Sequence, residues 1–521
     1  MSQAPVGDVV PEARQEGVVP EARQEGVVPE ARQGGTADQS DPIPASPDTV
    51  RPARAPAVVA WLVRRPWLLA WLAFVPIAVL RAGTLAEADT FWQIRTGLLT
   101  ISHRAIPAVD PFSWTMRGRP WTLNSWGFNV LLALAYKLAG LPAVAWLCAA
   151  SVMAIVALVL VLARQLGASA LAAGAGLFVV SPLLTGWLTA RPQLADYVAV
   201  LTLVLLLRQI AEGRHQVAYV LAVGAVSATW VNLHAAAELG VVIAAAAAAL
   251  LAVRSESRRA SAWLLGAAAA ALAGMLVNPY GFGVIAQAAQ VQTASAGLIV
   301  EWQHLSPASP AQDLVISLGL LALALAVRRR ELVLAATLGT AIVGAIFAIR
   351  LLPFIVLAGL PMVAAWASTP SQTVLRYARS RRVMFYRCGA IGALALVAVA
   401  VPSLAHIGRP NLATYPVRIV KDIPPGCRVF TTDLIGGFMI LERPDAPVSL
   451  DTRNTLYGRQ LLLAEERVLH GWGNLASGLA GAGCVLVPPA SGLARRLDHD
   501  PAWQIKATEP PSAVLFVRRT G

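Results

Sequence analysis

Hydrophobic and polar positions alternate along this chain in long blocks. From about residue 66 onward, apolar runs of bilayer-spanning length, about 17 to 25 residues for a helix, are separated by short polar breaks. We place such runs near 66–83, 142–163, 169–187, 192–210, 215–233, 236–253, 260–277, 312–327, 331–349, 351–367 and 386–405. The stretch 121–140 is apolar too, but Trp121, Asn124, Trp126 and Lys137 give it the look of a helix lying in a membrane interface. The pattern predicts an α-helical polytopic membrane protein with about 11 to 13 membrane helices.

The two ends of the chain break this pattern. VVPEARQEG starts at residues 9 and 18 and VVPEARQGG at 27, so a proline in every unit forbids one continuous helix. Residues 1–57 therefore read as a disordered, repeat-containing tail, with a start too polar for a cleavable signal peptide. After residue 408 hydropathy falls. Short apolar runs at 428–432, 438–441, 447–450, 485–487 and 514–517 read as strands, and 459–469 and 491–497 as helices, giving a small C-terminal α/β domain at 408–521. Gly436-Gly437 lacks nucleotide-loop spacing and reads as a turn after a strand.

Composition agrees with the pattern. Of all residues, 56% are hydrophobic and 14% charged, and the mean hydropathy is +0.60, which excludes an ordinary soluble domain. The net charge of +13 does not point to nucleic acid, because the arginines sit at the ends of apolar runs. With the N-terminus cytoplasmic, Arg164, Arg208, Arg214, Arg254, Arg258, Arg259 and the triplet 328–330 all fall inside. That orientation puts the loop 84–126, the segments around Arg191 and His234, the loop 278–312 and the domain after 408 outside the cytoplasmic membrane. Of four cysteines, Cys148 and Cys388 lie in apolar segments, and no Cys/His spacing resembles a zinc site. Cys427 and Cys484 each border a strand of the C-terminal domain, where neighbouring parallel strands would set them level. A bond between them is one reading and two free thiols the other.

Ionisable residues beside hydrocarbon are costly and mark functional cavities. The candidates are Glu87, Asp89, Arg95, His103, Asp110, Arg191, Asn232, His234, Glu301 and His304. Several have plain structural readings: Asp110 as a turn cap, His234 as a hydrogen-bonded helix-end histidine, Arg191 as an interfacial side chain. Asp89 follows the first apolar segment within a few residues, so its carboxylate suits a general base at the membrane surface. Arg95 and Arg191 carry the forked donors that suit a phosphate. Glu87, Asp89 and an outer histidine would also make a divalent metal site.

The element order resembles the GT-C superfamily of polytopic glycosyltransferases, which includes protein O-mannosyltransferases and aminoarabinose transferases. The resemblance covers about residues 67–406 and rests on Asp89 soon after the first membrane segment, the spacing from Gly97 to Pro107, and DPFSWTMRGRPW at 110–121. A largely uncharacterised bacterial GT-C-like group is similar in ARPQ (190–193), WVNLH (230–234), VNPYG (277–281), Glu301-Trp302, GGFMIL (436–441) and SLDTRNTLYG (449–458). No segment resembles HPPL or EKPP, and no second acidic metal motif is present. The resemblance implies a transferase that moves a sugar from a polyprenyl-phosphate donor to an extracytoplasmic acceptor. It implies Asp89 as the catalytic acid, with membrane lipid as a further partner. Two other readings stay open: a non-catalytic GT-C-derived scaffold for envelope assembly, and a lipid or solute transporter. The second lacks the repeated halves and broken helices that mark many transporters.

Overall fold

The computed structural model describes residues 61, 64–214, 216–254, 257–284, 286, 300–306, 308–369 and 382–519. The repeat tail at 1–57, part of the loop 278–312 and the side chain of Cys388 lie outside the described residues.

Each apolar run falls on helix, for the reason the membrane reading supplies: a chain without water must satisfy its backbone groups internally. In the first run a proline breaks the helix. The run expected at 66–83 is two short helices, α1 (Pro66–Leu72) and α2 (Val75–Ala82). Pro76 cannot continue the first, because it has no N–H to donate and its ring meets the carbonyl four residues back. Next come α3 (Ala88–His103), α4 (Trp126–Gln165), α5 (Ala170–Leu184), α6 (Gln193–Ala211), α7 (Gln216–Leu233), α8 (Glu238–Val253) and α9 (Arg258–Met275). They are followed by α10 (Pro310–Arg328), α11 (Leu332–Phe347), α12 (Leu352–Ala367) and α13 (Arg382–Leu404). Among the described residues, five helices are long and apolar enough to cross a membrane: α4, α6, α7, α10, and α12 with its preceding turn.

The helix expected over 121–140 starts at Trp126 and forms the first part of α4. A kink at Ala139 and Gly140, two residues before Pro142, divides it from the apolar run 142–163. This first part packs against α3 at a distance that only glycine permits. A Cβ on Gly97 would stand 2.0 Å from the carbonyl oxygen of Asn129.

The C-terminal residues carry a four-stranded sheet of β3 (Val429–Thr431), β4 (Cys484–Val487), β5 (Trp503–Glu509) and β6 (Ala513–Arg518), in the order β3-β4-β6-β5. The two-residue strands β1 (Thr84–Leu85) and β2 (Arg409–Pro410) pair separately, tying the start of the first loop to the chain after α13. Strands β3 and β4 run parallel with Val429 opposite Cys484, and Cys427 and Cys484 form a disulfide with Cα atoms 6.1 Å apart. Two expected strands are not strands. Residues 438–441 lie in helix α14 (Asp433–Glu442), and 447–450 contributes only isolated bridges from Val448 to Ser113 and Val429. Edge strand β5 escaped the hydropathy reading because it alternates with polar residues and leaves Ile505 half exposed.

Gly436 and Gly437, expected as a turn, sit inside α14 because packing demands it. A Cβ on Gly436 would meet the Leu450 carbonyl oxygen at 2.0 Å, and one on Gly437 that of Ala88 at 2.7 Å. Helix α14 thereby seats on the start of α3, where Phe91, Tyr415 and Phe438 pack edge-to-face and stacked with centroids 4.9 to 5.2 Å apart. The C-terminal sheet and the helical body are thus joined directly beside Asp89.

Candidate functional site

Asp89 stands in the first turn of α3, where the helix macrodipole favours a carboxylate. Thr90 fixes what lies opposite. Its hydroxyl donates to the Ala190 carbonyl at 2.9 Å and holds the segment leading into α6 against α3. Arg191 follows, and its guanidinium reaches three carboxylates: Asp89 at 3.2 Å, Glu87 at 3.8 Å, and Glu301 from the turn Val300–Trp302. Burial works against the Arg191 charge, but these carboxylates outweigh it and raise its pKa. Burial likewise raises the Glu87 carboxyl, with Arg191 pulling the other way.

The other side of Asp89 is held by the C-terminal region. Thr452 donates its hydroxyl to Asp89 Oδ1, and Trp92 Nε1 donates to both Asp89 Oδ1 at 3.1 Å and Thr452 Oγ1 at 3.0 Å. Thr452 is in position because its neighbour Arg453 is locked in place. Arg453 is buried and pairs with Asp451 at 2.7 Å and Asp110 at 2.7 Å, with its guanidinium 4.6 Å from the Trp121 ring centre. Tyr457 donates to Asp451 at 2.6 Å. The first loop continues the join: Trp114 Nε1 donates to the Val429 carbonyl at 3.2 Å, and Thr115 to that of Ser449.

Two cavities meet at Asp89, and a third adjoins the smaller of them. A small polar one of about 150 Å³ contains Asp89, Gln93, Arg191, His234, Thr452 and Asn454. A second, about 350 Å³, lies deeper among the helices with Asp196, His234, Glu238, Arg350 and Phe354 in its wall. The third is a cleft of about 660 Å³ between the helical body and the C-terminal region, shared by Asp89, Arg191, Glu301, Asp433, Glu465 and Glu466. Asp89 and Arg191 belong to both the polar cavity and the cleft.

The structure sorts the residues chosen from sequence. Glu87, Asp89, Arg191 and Glu301 come together, and His234 borders the polar cavity beside them. Arg95 and His103 do not join them. They lie six and fourteen residues further along α3, roughly 9 and 21 Å at the rise of an α-helix. Asp110 accepts from the backbone of Phe112 and Ser113 and from the Ser113 hydroxyl, besides pairing with Arg453, so it is the turn cap. Asn232 accepts from Trp126 Nε1 and donates to the Ala228 and Val277 carbonyls, which leaves it with structural partners. His304 is exposed, 3.3 Å from the Ile346 carbonyl. Among the described residues no three His, Cys, Asp or Glu side chains are grouped to hold a metal ion, and the carboxylates of Glu87, Asp89 and Glu301 turn on Arg191.

Thr452, Asn454, Asp196, Arg350 and Glu465 were missed. Nothing in local spacing marks Thr452, whose partner is 363 residues away. A sharper signal was available for Asp196, an acid four residues into an otherwise apolar run. Glu465 is buried in the cleft wall, where it accepts from the Ser449 hydroxyl at 3.1 Å, and burial pushes its carboxyl up to about 7. A raised folded-state pKa means that stability is complete below the unfolded value, about 4.3, and is lost as pH rises through 7. Glu465→Gln should therefore raise the apparent Tm of the solubilised chain at pH 8, by the equivalent of about 4 kcal/mol at most. At pH 4 the Tm should hardly change. Equal shifts at both pH values would show the carboxyl to be ordinary.

No protein-family model matches the sequence and no curated protein is found as a relative. Solved structures do match. The apo oligosaccharyltransferase of Archaeoglobus fulgidus superimposes with a TM-score of 0.53 at 13% identity, over 82% of this chain and 70% of that one. The same enzyme tethered to an acceptor peptide containing the NVT sequon gives 0.53 at 12%, over 82% and 69%. Apo ArnT from Cupriavidus metallidurans gives 0.54 at 13%, over 88% and 98%. At such identities the likeness shows the fold alone: the chain shares the fold of this oligosaccharyltransferase and of ArnT.

Proposed function

We propose that the chain is a membrane glycosyltransferase that moves a sugar from a polyprenyl-phosphate donor to an acceptor outside the cytoplasmic membrane. The observation that carries the reading is the position of Asp89. It lines both a polar chamber and an open cleft, and the chamber shares His234 and Arg350 with a cavity among the helices of the GT-C fold. A lipid-linked donor entering between the helices and an acceptor entering the cleft would meet at its carboxylate. Asp89 takes the proton of the acceptor hydroxyl as that oxygen attacks the anomeric carbon. Arg191, bound among Glu87, Asp89 and Glu301, aims the carboxylate, and Thr452 and Trp92 fix its other edge. The motifs at 190–193, 230–234, 277–281 and 449–458 would then belong to a GT-C-like bacterial group with this activity.

The orientation with residues 408–521 outside as a binding domain follows from the same reading. Arginines such as Arg208, paired with Glu331 at 3.0 Å, stand at the opposite end of α6 from Arg191. The Cys427–Cys484 disulfide suits an oxidising compartment.

The test is reconstitution of the full chain in liposomes with synthetic polyprenyl-phosphate hexoses and pentoses. The expected result is release of polyprenyl phosphate from one donor together with sugar transfer to an extracted envelope acceptor. Failure to consume any donor, with unchanged envelope glycans in cells lacking the chain, would sink the proposal and favour a scaffold.

A further inference from the structure

His234 and Asp196 form a buried pair that the reaction as described so far leaves unused. His234 follows α7 directly, and its Nδ1 lies 2.7 and 2.9 Å from the two carboxylate oxygens of Asp196. Trp230 Nε1 donates to the same carboxylate at 2.7 Å, so Asp196 is held from two sides. A carboxylate can only accept, which assigns a proton to Nδ1 and leaves Nε2 as the ring's free nitrogen. Among the described residues Nε2 has no hydrogen-bond partner, and His234 borders both the helix-lined cavity and the polar chamber.

Arg350 borders the same two cavities, in the turn Ile349–Leu351. Its guanidinium lies 4.4 Å from the ring centre of Trp302, and no described carboxylate comes within ion-pair distance. It differs in this from Arg191, whose charge is already matched by three carboxylates. The charged and titratable groups that share these two cavities with His234 are Asp196 and Tyr197 from α6, Glu238 from α8, Arg350, and, in the polar chamber, Asp89, Arg191 and Arg453. An arginine with no described carboxylate at ion-pair distance and an imidazole backed by a carboxylate thus border one junction, between a helix-lined cavity and the polar chamber of Asp89.

We propose that the Asp196–His234 dyad, with Arg350, receives the phosphate of the donor and that His234 Nε2 protonates it as it leaves. This rests on the glycosyltransferase reading for the reacting sugar, while the anion site stands on the dyad and Arg350 themselves. In the step, the acceptor oxygen bonds to the anomeric carbon and its proton goes to Asp89. The bond from that carbon to the phosphate oxygen breaks, and the electron pair stays on the oxygen. His234 enters the step as the imidazolium, protonated on both ring nitrogens, and passes its Nε2 proton to the phosphate, giving polyprenyl phosphate as the monoanion and neutral imidazole. Asp196 is a positioning residue that fixes the ring and supports its positive charge.

The probe is a C55 polyprenyl methyl phosphate, a phosphodiester whose single charge does not titrate near neutrality, with C55 polyprenol as the uncharged control. Binding to the full chain in detergent micelles is measured from pH 5 to 9. The wild type should lose diester affinity about tenfold across this range as pH rises. His234→Gln should bind the diester weakly at every pH, Arg350→Gln should weaken it at least tenfold, and polyprenol binding should stay the same in both. In Asp196→Asn the fall in affinity should move to lower pH, which loss of packing alone would not produce. A flat pH dependence in the wild type, or an unchanged one in His234→Gln, overturns the proposal. Because the probe carries no sugar, a chain that binds it through His234 yet transfers nothing would discard the transferase reading alone.

Discussion

Asp89→Asn should abolish sugar transfer while leaving the protein assembled. An amide of the same shape still accepts at Oδ1 from Trp92 and Thr452, so the hydrogen bonds that seat the side chain survive. Arg191 keeps Glu87 and Glu301 as partners, so no buried guanidinium is left unpaired. What disappears is the basic oxygen, and general-base catalysis of this kind is worth roughly 10² to 10⁴ in rate. The measurement is the initial transfer rate at matched amounts of monodisperse protein, with melting temperature as the check on folding. Full activity in Asp89→Asn would end its assignment as the base, whatever the donor proves to be.

Arg453→Met should be the most damaging single change to stability. The guanidinium is buried, pairs with Asp110 and Asp451, and faces the rings of Trp121 and Phe112 at 4.6 and 5.1 Å. Removing it strands two buried carboxylates, and breaking a buried pair in this way costs about 3 to 5 kcal/mol. Asp110 belongs to the first loop and Asp451 to the C-terminal region, so the loss falls on the join that carries Thr452 to Asp89. The variant should yield little folded protein, and what folds should transfer slowly. Restoring charge balance with Asp110→Asn and Asp451→Asn in the same chain should recover most of the yield. If Arg453→Met alone behaved as wild type, the join would be held by the apolar contacts around Phe91, Tyr415 and Phe438 instead.

Both predictions turn on a contact between distant parts of the chain, and this divides what was legible in the sequence from what was not. The apolar runs were legible because each helix in hydrocarbon must be apolar for its whole length, so hydropathy alone locates them. Their interruptions were less so. Pro76 split the first run into α1 and α2, and Ala139 and Gly140 bent α4 into one helix of two parts. Residues 436–441 misread as a turn and a strand because short apolar runs satisfy either period. Close packing of Gly436 on Leu450 and Gly437 on Ala88 is what requires the two glycines inside that helix at the join.

By itself the sequence determined a polytopic helical chain, a more polar C-terminal region, and an acid after the first apolar segment with Glu87, Arg191 and Glu301 as polar candidates. These follow from local composition, since burying an unpaired charge is costly wherever it occurs. Only the tertiary structure decided which candidates meet. It bound Arg191 among three carboxylates, set Asp110 and Asn232 to structural work, left Arg95, His103 and His304 aside, and brought Thr452, Asp196 and Arg350 to the cavities. The reason is distance along the chain. Hydropathy is a property of neighbours, whereas Thr452 reaches Asp89 across 363 residues through an ion pair and a helix packed on glycine.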